Sequence, residues 1–141
     1  MEVHCETDFL ARNAEFRSLV KDIALQIASE APQYVSTKDV PDEVIQEVER
    51  QAEATAIALG KPDRVTSQMK AGKVRKFLSQ VCLMEQRFIK DQEITVGTLV
   101  HNLAAKSGEN IRVVRFTRYQ IGVGARTWME RSWPALSPAS T

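Results

Sequence analysis

Residues 5–13 read Cys-Glu-Thr-Asp-Phe-Leu-Ala-Arg-Asn, and the rest of the chain is organised around this stretch. It follows a short β-like run over residues 2–6 and precedes a long amphipathic segment that starts near Asn13. Side chains at such a strand-to-helix corner can stand clear of the body of a domain. We therefore take this corner as the first candidate for a functional surface.

Phe9 stands directly after Asp8 at this corner, and two interpretations of it compete. In the first, Phe9 packs beneath the start of the following helix as a hydrophobic staple, and Asp8 or Asn13 caps that helix. In the second, the ring is exposed as an anchor for a pocket on a partner protein, with Asp8 as its polar companion. Because most apolar residues near helix starts face inward, the local pattern alone favours the first interpretation.

Composition limits the class of protein. The chain has 141 residues, of which 43% are hydrophobic, enough for one domain of ordinary size with its own core. Nineteen Lys and Arg residues against 18 Asp and Glu residues give a net charge of +1, which argues against a strongly basic nucleic-acid-binding protein. No apolar run is long enough to span a bilayer. Cys5 and Cys82 are far apart in sequence and fit a reducing compartment.

Apolar residues at three- and four-residue steps predict three long helices. The first covers residues 13–31, ends at Pro32, and is expected to turn Gln26 toward water. The second starts at Pro41 and closes at Gly60. The third runs over residues 63–84 with a break or bend expected near Ala71-Gly72, because glycine is less favourable than alanine inside a helix by about 1 kcal/mol. The apolar stripe of the first helix is Phe16, Leu19, Val20, Ile23 and Ile27.

The predicted fold class is α+β, with a small antiparallel sheet packed against several amphipathic helices. Thr95 is expected to cap a fourth helix over residues 96–106, although Gly97 in its first turn weakens that pattern. Alternating apolar residues over 110–121 predict a strand. The sequence is thus divided into a core over residues 1–122 and a loose tail over residues 123–141, which carries Trp128 and Trp133.

The sequence lacks recognisable catalytic, metal-binding or phosphate-binding motifs, so an enzyme is the least expected class. His4 and His101 have no Cys or His at metal-ligand spacing, and we predict neither a metal site nor a bound cofactor. Gly60-Lys61-Pro62 lacks the second glycine and the Ser or Thr of a phosphate-binding loop, so direct nucleotide binding is not expected.

A basic cluster on the third helix raises the alternative of an RNA-associated module. No aromatic residues interleave with these cations on the same face, so a solvated helix face is the favoured interpretation and RNA is not the expected partner. The cluster consists of Lys70, Lys73, Arg75 and Lys76.

Several separated blocks of the sequence resemble the elongation factor Ts family of bacterial and organellar translation. Residues 5–13, followed by Glu15-Phe16, are similar to the signature region of that family, and the resemblance covers residues 2–122 in the form of its short, single-core members. Separated blocks in the right order are more specific than one short motif. The further blocks are Tyr34-Val35-Ser36, Val40-Pro41, Gly60-Lys61-Pro62, Gly72-Lys73-Val74-Arg75-Lys76-Phe77, Val81-Cys82-Leu83-Met84-Glu85-Gln86, Phe88-Ile89-Lys90-Asp91 and Gly108-Glu109-Asn110-Ile111.

The resemblance implies a guanine-nucleotide exchange factor that binds nucleotide-free or GDP-bound elongation factor Tu. Phe9 would act as a wedge that disturbs the magnesium and phosphate site of that partner. The implied compartment is the bacterial cytoplasm, or an organellar matrix or stroma. The implied partner-binding residues are Thr7, Asp8, Phe9, Leu10, Arg12 and Asn13.

The sequence also departs from the family, and alternatives stay open. Arg87 stands where the family usually has proline, and the small N-terminal helical domain of the family has no counterpart, so a core fragment or a shortened gene product is expected. Short members act as paired cores, which leaves a homodimer open. A module that holds elongation factor Tu without nucleotide exchange is the alternative function.

Overall fold

A computed structural model describes residues 1–121 and confirms the predicted α+β class. Two short 3₁₀ turns, Thr37–Asp39 and Leu83–Glu85, join the larger elements. The tail over residues 123–141, with both tryptophans, lies outside the described residues. The strands are β1 (Glu2–His4), β2 (Arg87–Phe88), β3 (Asp91–Thr95) and β4 (Arg112–Arg115). The helices are α1 (Asp8–Arg12), α2 (Ala14–Glu30), α3 (Asp42–Ala58), α4 (Asp63–Val81) and α5 (Val96–Ser107).

The strands form two antiparallel pairs, β1 with β4 and β2 with β3. The strand predicted over residues 110–121 is therefore too long, since β4 ends at Arg115. The physical reason is that β1 has only three residues, so it offers hydrogen-bonding partners to a short segment only. Alternation continues in the sequence beyond Arg115, but Tyr119 and Ile121 are exposed there.

The strands, α1, α2, α5 and the Leu83–Glu85 turn share one hydrophobic core, and we call this part of the molecule the body. The predicted stripe of α2 faces this core, with Ile23 fully buried. Helix α5 packs against α2, and both helices contribute side chains to the core. The buried core residues are Leu10, Phe16, Leu19, Ile23, Ile27, Leu83, Phe88, Val96, Val100, Ile111 and Val113.

Gln26 is buried, which corrects the prediction that it faces water. Its Oε1 accepts a hydrogen bond from the Ile89 N–H at 2.9 Å. Its Nε2 donates to Gln86 Oε1 at 3.1 Å and to the Arg87 carbonyl at 3.0 Å. A buried amide is tolerated when its polar atoms are paired in this way, and here it ties the β2 region to α2.

Helices α3 and α4 pack side by side as an α-helical hairpin, which we call the hairpin. Its seam buries the small side chains of Ala52 and Ala56 together with Val48. Helix α4 runs without interruption from Asp63 to Val81, so Gly72 does not break it. The propensity of one glycine is a small term beside the packing of a whole helix. In the described part of the chain, no helix has the length and apolar character needed to cross a membrane.

Glycine at position 97 is required by a close approach between two elements. A Cβ placed there would lie 2.8 Å from the carbonyl oxygen of Met84, in the Leu83–Glu85 turn. The predicted cap of α5 is confirmed, because Thr95 Oγ1 accepts from the Thr98 N–H at 3.1 Å. The departure that weakened the sequence pattern is therefore what allows α5 to pack closely on the turn.

Candidate functional site

Phe9 and Leu10 are neighbours on α1, but one side chain is exposed and the other is buried. Leu10 is 4% exposed and belongs to the body core, whereas Phe9 is 80% exposed. Successive residues of an α-helix are turned by about 100°, so a five-residue helix can bury one side chain and present the next. The ring at the corner is thus held outward by an anchored neighbour, as the second interpretation of Phe9 expects.

Leu10 is also among the residues predicted to bind a partner. Its side chain is buried among the core residues of the body, where it anchors α1. Contact of this residue with a second protein stays a prediction.

Asp8 and Arg12 flank the exposed ring on the same short helix. Arg12 Nη2 lies 3.6 Å from Asp8 Oδ2, and the two side chains are 78% and 84% exposed. An exposed pair at this separation contributes little to stability. Both charged groups therefore remain accessible around Phe9.

Thr7 and Asn13 use their polar atoms to fix the two ends of α1. Thr7 is extended, and its Oγ1 accepts from the Leu10 N–H at 3.3 Å, so Thr7 is the cap of α1 rather than Asp8. The Asn13 N–H donates to the Leu10 carbonyl at 2.9 Å, and Asn13 Oδ1 accepts from the Glu15 N–H at 2.7 Å. Asn13 thus ends α1 and caps α2 at once, as the prediction of an Asn13 cap expects.

Glu109 joins the site from the far end of the sequence. Its carboxylate accepts from the Thr7 N–H and from the Thr7 hydroxyl, each at 2.8 Å. Sequence reasoning did not identify this residue as part of the site. The two partners are 102 positions apart in the sequence, and no local spacing signals such a contact.

Two other features of the molecule lie apart from this corner. An open cleft of about 450 Å³ is lined by polar side chains, among them Glu30, Gln86 and Arg87. It lies away from Phe9 along α2, because Glu30 is the last residue of that helix and Phe9 precedes its first residue. Burial raises the pKa of the Cys82 thiol to about 11, so this side chain stays neutral.

No group of three or more His, Cys, Asp or Glu side chains suited to a metal ion is found within residues 1–121.

The basic cluster of α4 is partly engaged within the hairpin. Lys70 Nζ lies 3.5 Å from Glu53 Oε2 of α3. Lys73, Arg75 and Lys76 are exposed on the same helix. This arrangement is typical of a solvated helix face.

Comparison with known proteins shows similarity to one protein family over most of the chain. The family model described as Elongation factor TS matches residues 17–123. Elongation factor Ts of Carboxydothermus hydrogenoformans is 47% identical over 124 residues, which are 88% of this chain and 57% of that protein. The Thermodesulfovibrio yellowstonii protein of the same name is 48% identical over 122 residues, 86% of this chain and 61% of that protein. The chain therefore spans 57–61% of the length of these relatives.

Proposed function

Because the chain belongs to the elongation factor Ts family, we propose that it binds elongation factor Tu and promotes release of GDP from it. The observation that carries this proposal is the exposure of Phe9, 80% of whose surface is open to solvent on a helix anchored by Leu10. A large aromatic side chain held outward on a supported element suits an anchor that enters a pocket of another protein.

Exchange of this kind needs no covalent chemistry from the chain. The exchange factor binds the nucleotide-free partner more tightly than the nucleotide-bound partner, and by linkage it weakens nucleotide binding by the same factor. Magnesium and phosphates hold the switch loops of a GTPase in place. We propose that the Phe9 ring wedges between elements of elongation factor Tu and shifts the loops that hold its magnesium and GDP phosphates.

The other residues of the corner have separate parts in this proposal. Asp8, with its accessible carboxylate, lies next to the ring and faces the displaced magnesium region. Arg12 adds a cation at the edge of the same contact. Thr7 and Asn13 hold the ends of α1, so they keep the ring in the orientation that enters the partner.

Replacement of Phe9 by alanine tests the proposal. A buried aromatic anchor is commonly worth about 2 kcal/mol at an interface, so we expect Phe9→Ala to slow stimulated GDP release about 25-fold. The measurement is the release of a fluorescent GDP analogue from elongation factor Tu by stopped flow. Far-UV circular dichroism and thermal unfolding should match the parent, because the ring contributes little to the core.

Ile57→Ala is the matched control for this experiment. Ile57 is a large apolar residue that is 68% exposed, but it lies near the end of α3 in the hairpin. We expect it to release GDP at the parent rate. Equal rates for Phe9→Ala and the parent would contradict the wedge. Complex formation with nucleotide-free elongation factor Tu but no acceleration of GDP release by the parent would favour the non-exchanging module.

We also propose that two copies of the chain associate through the β1–β4 pair. In this two-stranded sheet each strand has one edge unpaired within residues 1–121, and such edges readily pair with another chain. Light scattering after size exclusion tests this, since a monomer at micromolar concentration would contradict it. We place the action of the protein in the bacterial cytoplasm, where its partner functions.

A further inference from the structure

A contact across most of the sequence fixes the start of α1. The Glu109 carboxylate accepts hydrogen bonds from the backbone N–H and from the hydroxyl of Thr7, each at 2.8 Å. The same hydroxyl accepts from the Leu10 N–H, so one carboxylate fixes the residue that caps the helix carrying Phe9. Hydrogen bonds to an ionised carboxylate are stronger than those between neutral groups.

Glu109 is itself held by the end of α5. Gly108 follows this helix with a φ of 70°, the left-handed region that glycine readily adopts, and its N–H donates to the Ala104 carbonyl at 3.0 Å. The Glu109 N–H then donates to Ser107 Oγ at 3.3 Å. Because α5 contributes Val96 and Val100 to the body core, the contact links α1 to an element that is fixed by packing.

We infer that Glu109 is a positioning residue for Phe9, an inference that rests on the proposed function. Helix α1 has five residues, too few to be stable by itself, and Leu10 is its one buried side chain. The orientation of the Phe9 ring therefore depends on the attachments at the ends of α1. Without the Glu109 carboxylate, the Phe9 ring points outward for a smaller fraction of the time. The apparent dissociation constant for elongation factor Tu rises in proportion.

The inference predicts a specific kinetic pattern for Glu109→Ala. Loss of the two hydrogen bonds should raise the concentration of this protein that gives half-maximal GDP release from elongation factor Tu by about tenfold. The rate at saturation should stay within about twofold of the parent, because the ring that enters the partner is unchanged. Phe9→Ala should instead lower the saturating rate.

A measurement without the partner tests the same contact directly. In Glu109→Ala, exchange of the Thr7 amide hydrogen with deuterated water, followed by NMR, should be about tenfold faster than in the parent. Amides in the middle of α2 should keep their protection. This result would locate the change at α1 rather than in the core.

Two further variants separate positioning from charge. Glu109→Gln keeps an acceptor for the Thr7 N–H and a donor for its hydroxyl, so it should recover most of the affinity and of the amide protection. Glu15→Ala is the matched control, because it also removes a carboxylate near the corner. That carboxylate accepts a hydrogen bond from Lys106 at 2.6 Å, and within residues 1–121 no hydrogen bond or ion pair joins it to α1, so parent behaviour is expected.

The outcomes that overturn the inference are distinct from those that overturn the function. Unchanged Thr7 amide exchange in Glu109→Ala would show that the contact does not hold α1. Equal loss of affinity in the Gln and Ala variants, with the Thr7 amide still protected in the Gln variant, would show that the charge acts directly on the partner. A parent chain that fails to release GDP would overturn the exchange function and with it the role of Glu109 in exchange, while amide exchange would still decide whether Glu109 holds α1.

Discussion

Helices α2 and α3 each have 17 residues, but the body and the hairpin bury them to different depths. Helix α2 buries four large apolar residues and the amide of Gln26, because other elements cover it on several sides. Helix α3 buries Val48 and two alanines, because α4 is its main neighbour. The candidate site is attached to the deeply packed part, so the direction of Phe9 is set by the more deeply packed region.

The largest contrast is expected from isoleucine truncations. Ile23→Ala removes a fully buried side chain from the body and should lower the free energy of unfolding by about 2–5 kcal/mol. Ile57→Ala, on the 68% exposed side chain in the hairpin, should change it by less than about 0.5 kcal/mol. Urea unfolding followed by circular dichroism measures both. Similar losses in the two variants would contradict the difference in depth.

A buried amide and a half-buried amide should differ next. Gln26→Leu keeps the approximate volume but leaves the Ile89 N–H and the Gln86 amide without their partner, so we expect a loss of about 2 kcal/mol. Gln51→Leu in the hairpin removes one hydrogen bond, from Nε2 to Glu47 at 3.1 Å, and serves as the control, with a loss below about 0.5 kcal/mol. The same unfolding titration applies. A stabilised Gln26→Leu would show that apolar burial outweighs the lost pairing.

The two helical glycines should respond with opposite signs. Gly97→Ala in the body forces a methyl group to 2.8 Å from a backbone carbonyl oxygen and should destabilise the protein by about 1–3 kcal/mol. Gly72→Ala in the hairpin places its methyl group in open space and should stabilise it by about 1 kcal/mol through helix propensity. Thermal unfolding of the pair gives the sign directly. A stabilising Gly97→Ala would mean that the Leu83–Glu85 turn can move away from α5.

The smallest effect is expected at the ion pair across the hairpin. Lys70→Ala removes the 3.5 Å contact with Glu53, which is partly exposed to solvent, so the loss should be below about 0.5 kcal/mol and should shrink further in high salt. A double-mutant cycle with Glu53→Ala isolates the pair. A coupling energy above about 1 kcal/mol would show that the hairpin depends on this contact more than its exposure indicates.

Local patterns in the sequence predicted much of this fold. The stripe of α2 and the Thr95 cap of α5 follow from residue spacing within one element, and both are confirmed. Gln26 was assigned to solvent because its partners, Gln86 and Ile89, are 60 and 63 positions away. The length of β4 depended on β1, which lies at the opposite end of the described chain.

The candidate site likewise combines local features that the sequence predicts with long-range contacts that it does not. The Asn13 cap was predictable, because its acceptor and donor are neighbours in sequence. The direction of Phe9 was not settled by local pattern, which favours an inward ring, and the exposed ring became the better expectation only through the resemblance of residues 5–13 to a family. The part of Glu109 depends on a fold-level contact that spacing does not encode. Contact of Phe9 with a partner stays a prediction.

The double use of Asn13 as the end of one helix and the cap of the next leaves no spare residue between α1 and α2. Each residue of an α-helix advances its side chains by about 100° around the axis. Counted from the Thr7 cap, one residue inserted between Asp8 and Phe9 would therefore move the ring to the buried position of Leu10 and the leucine to the exposed position of Ala11. Across this segment the number of residues is under tighter constraint than the identity of most of them.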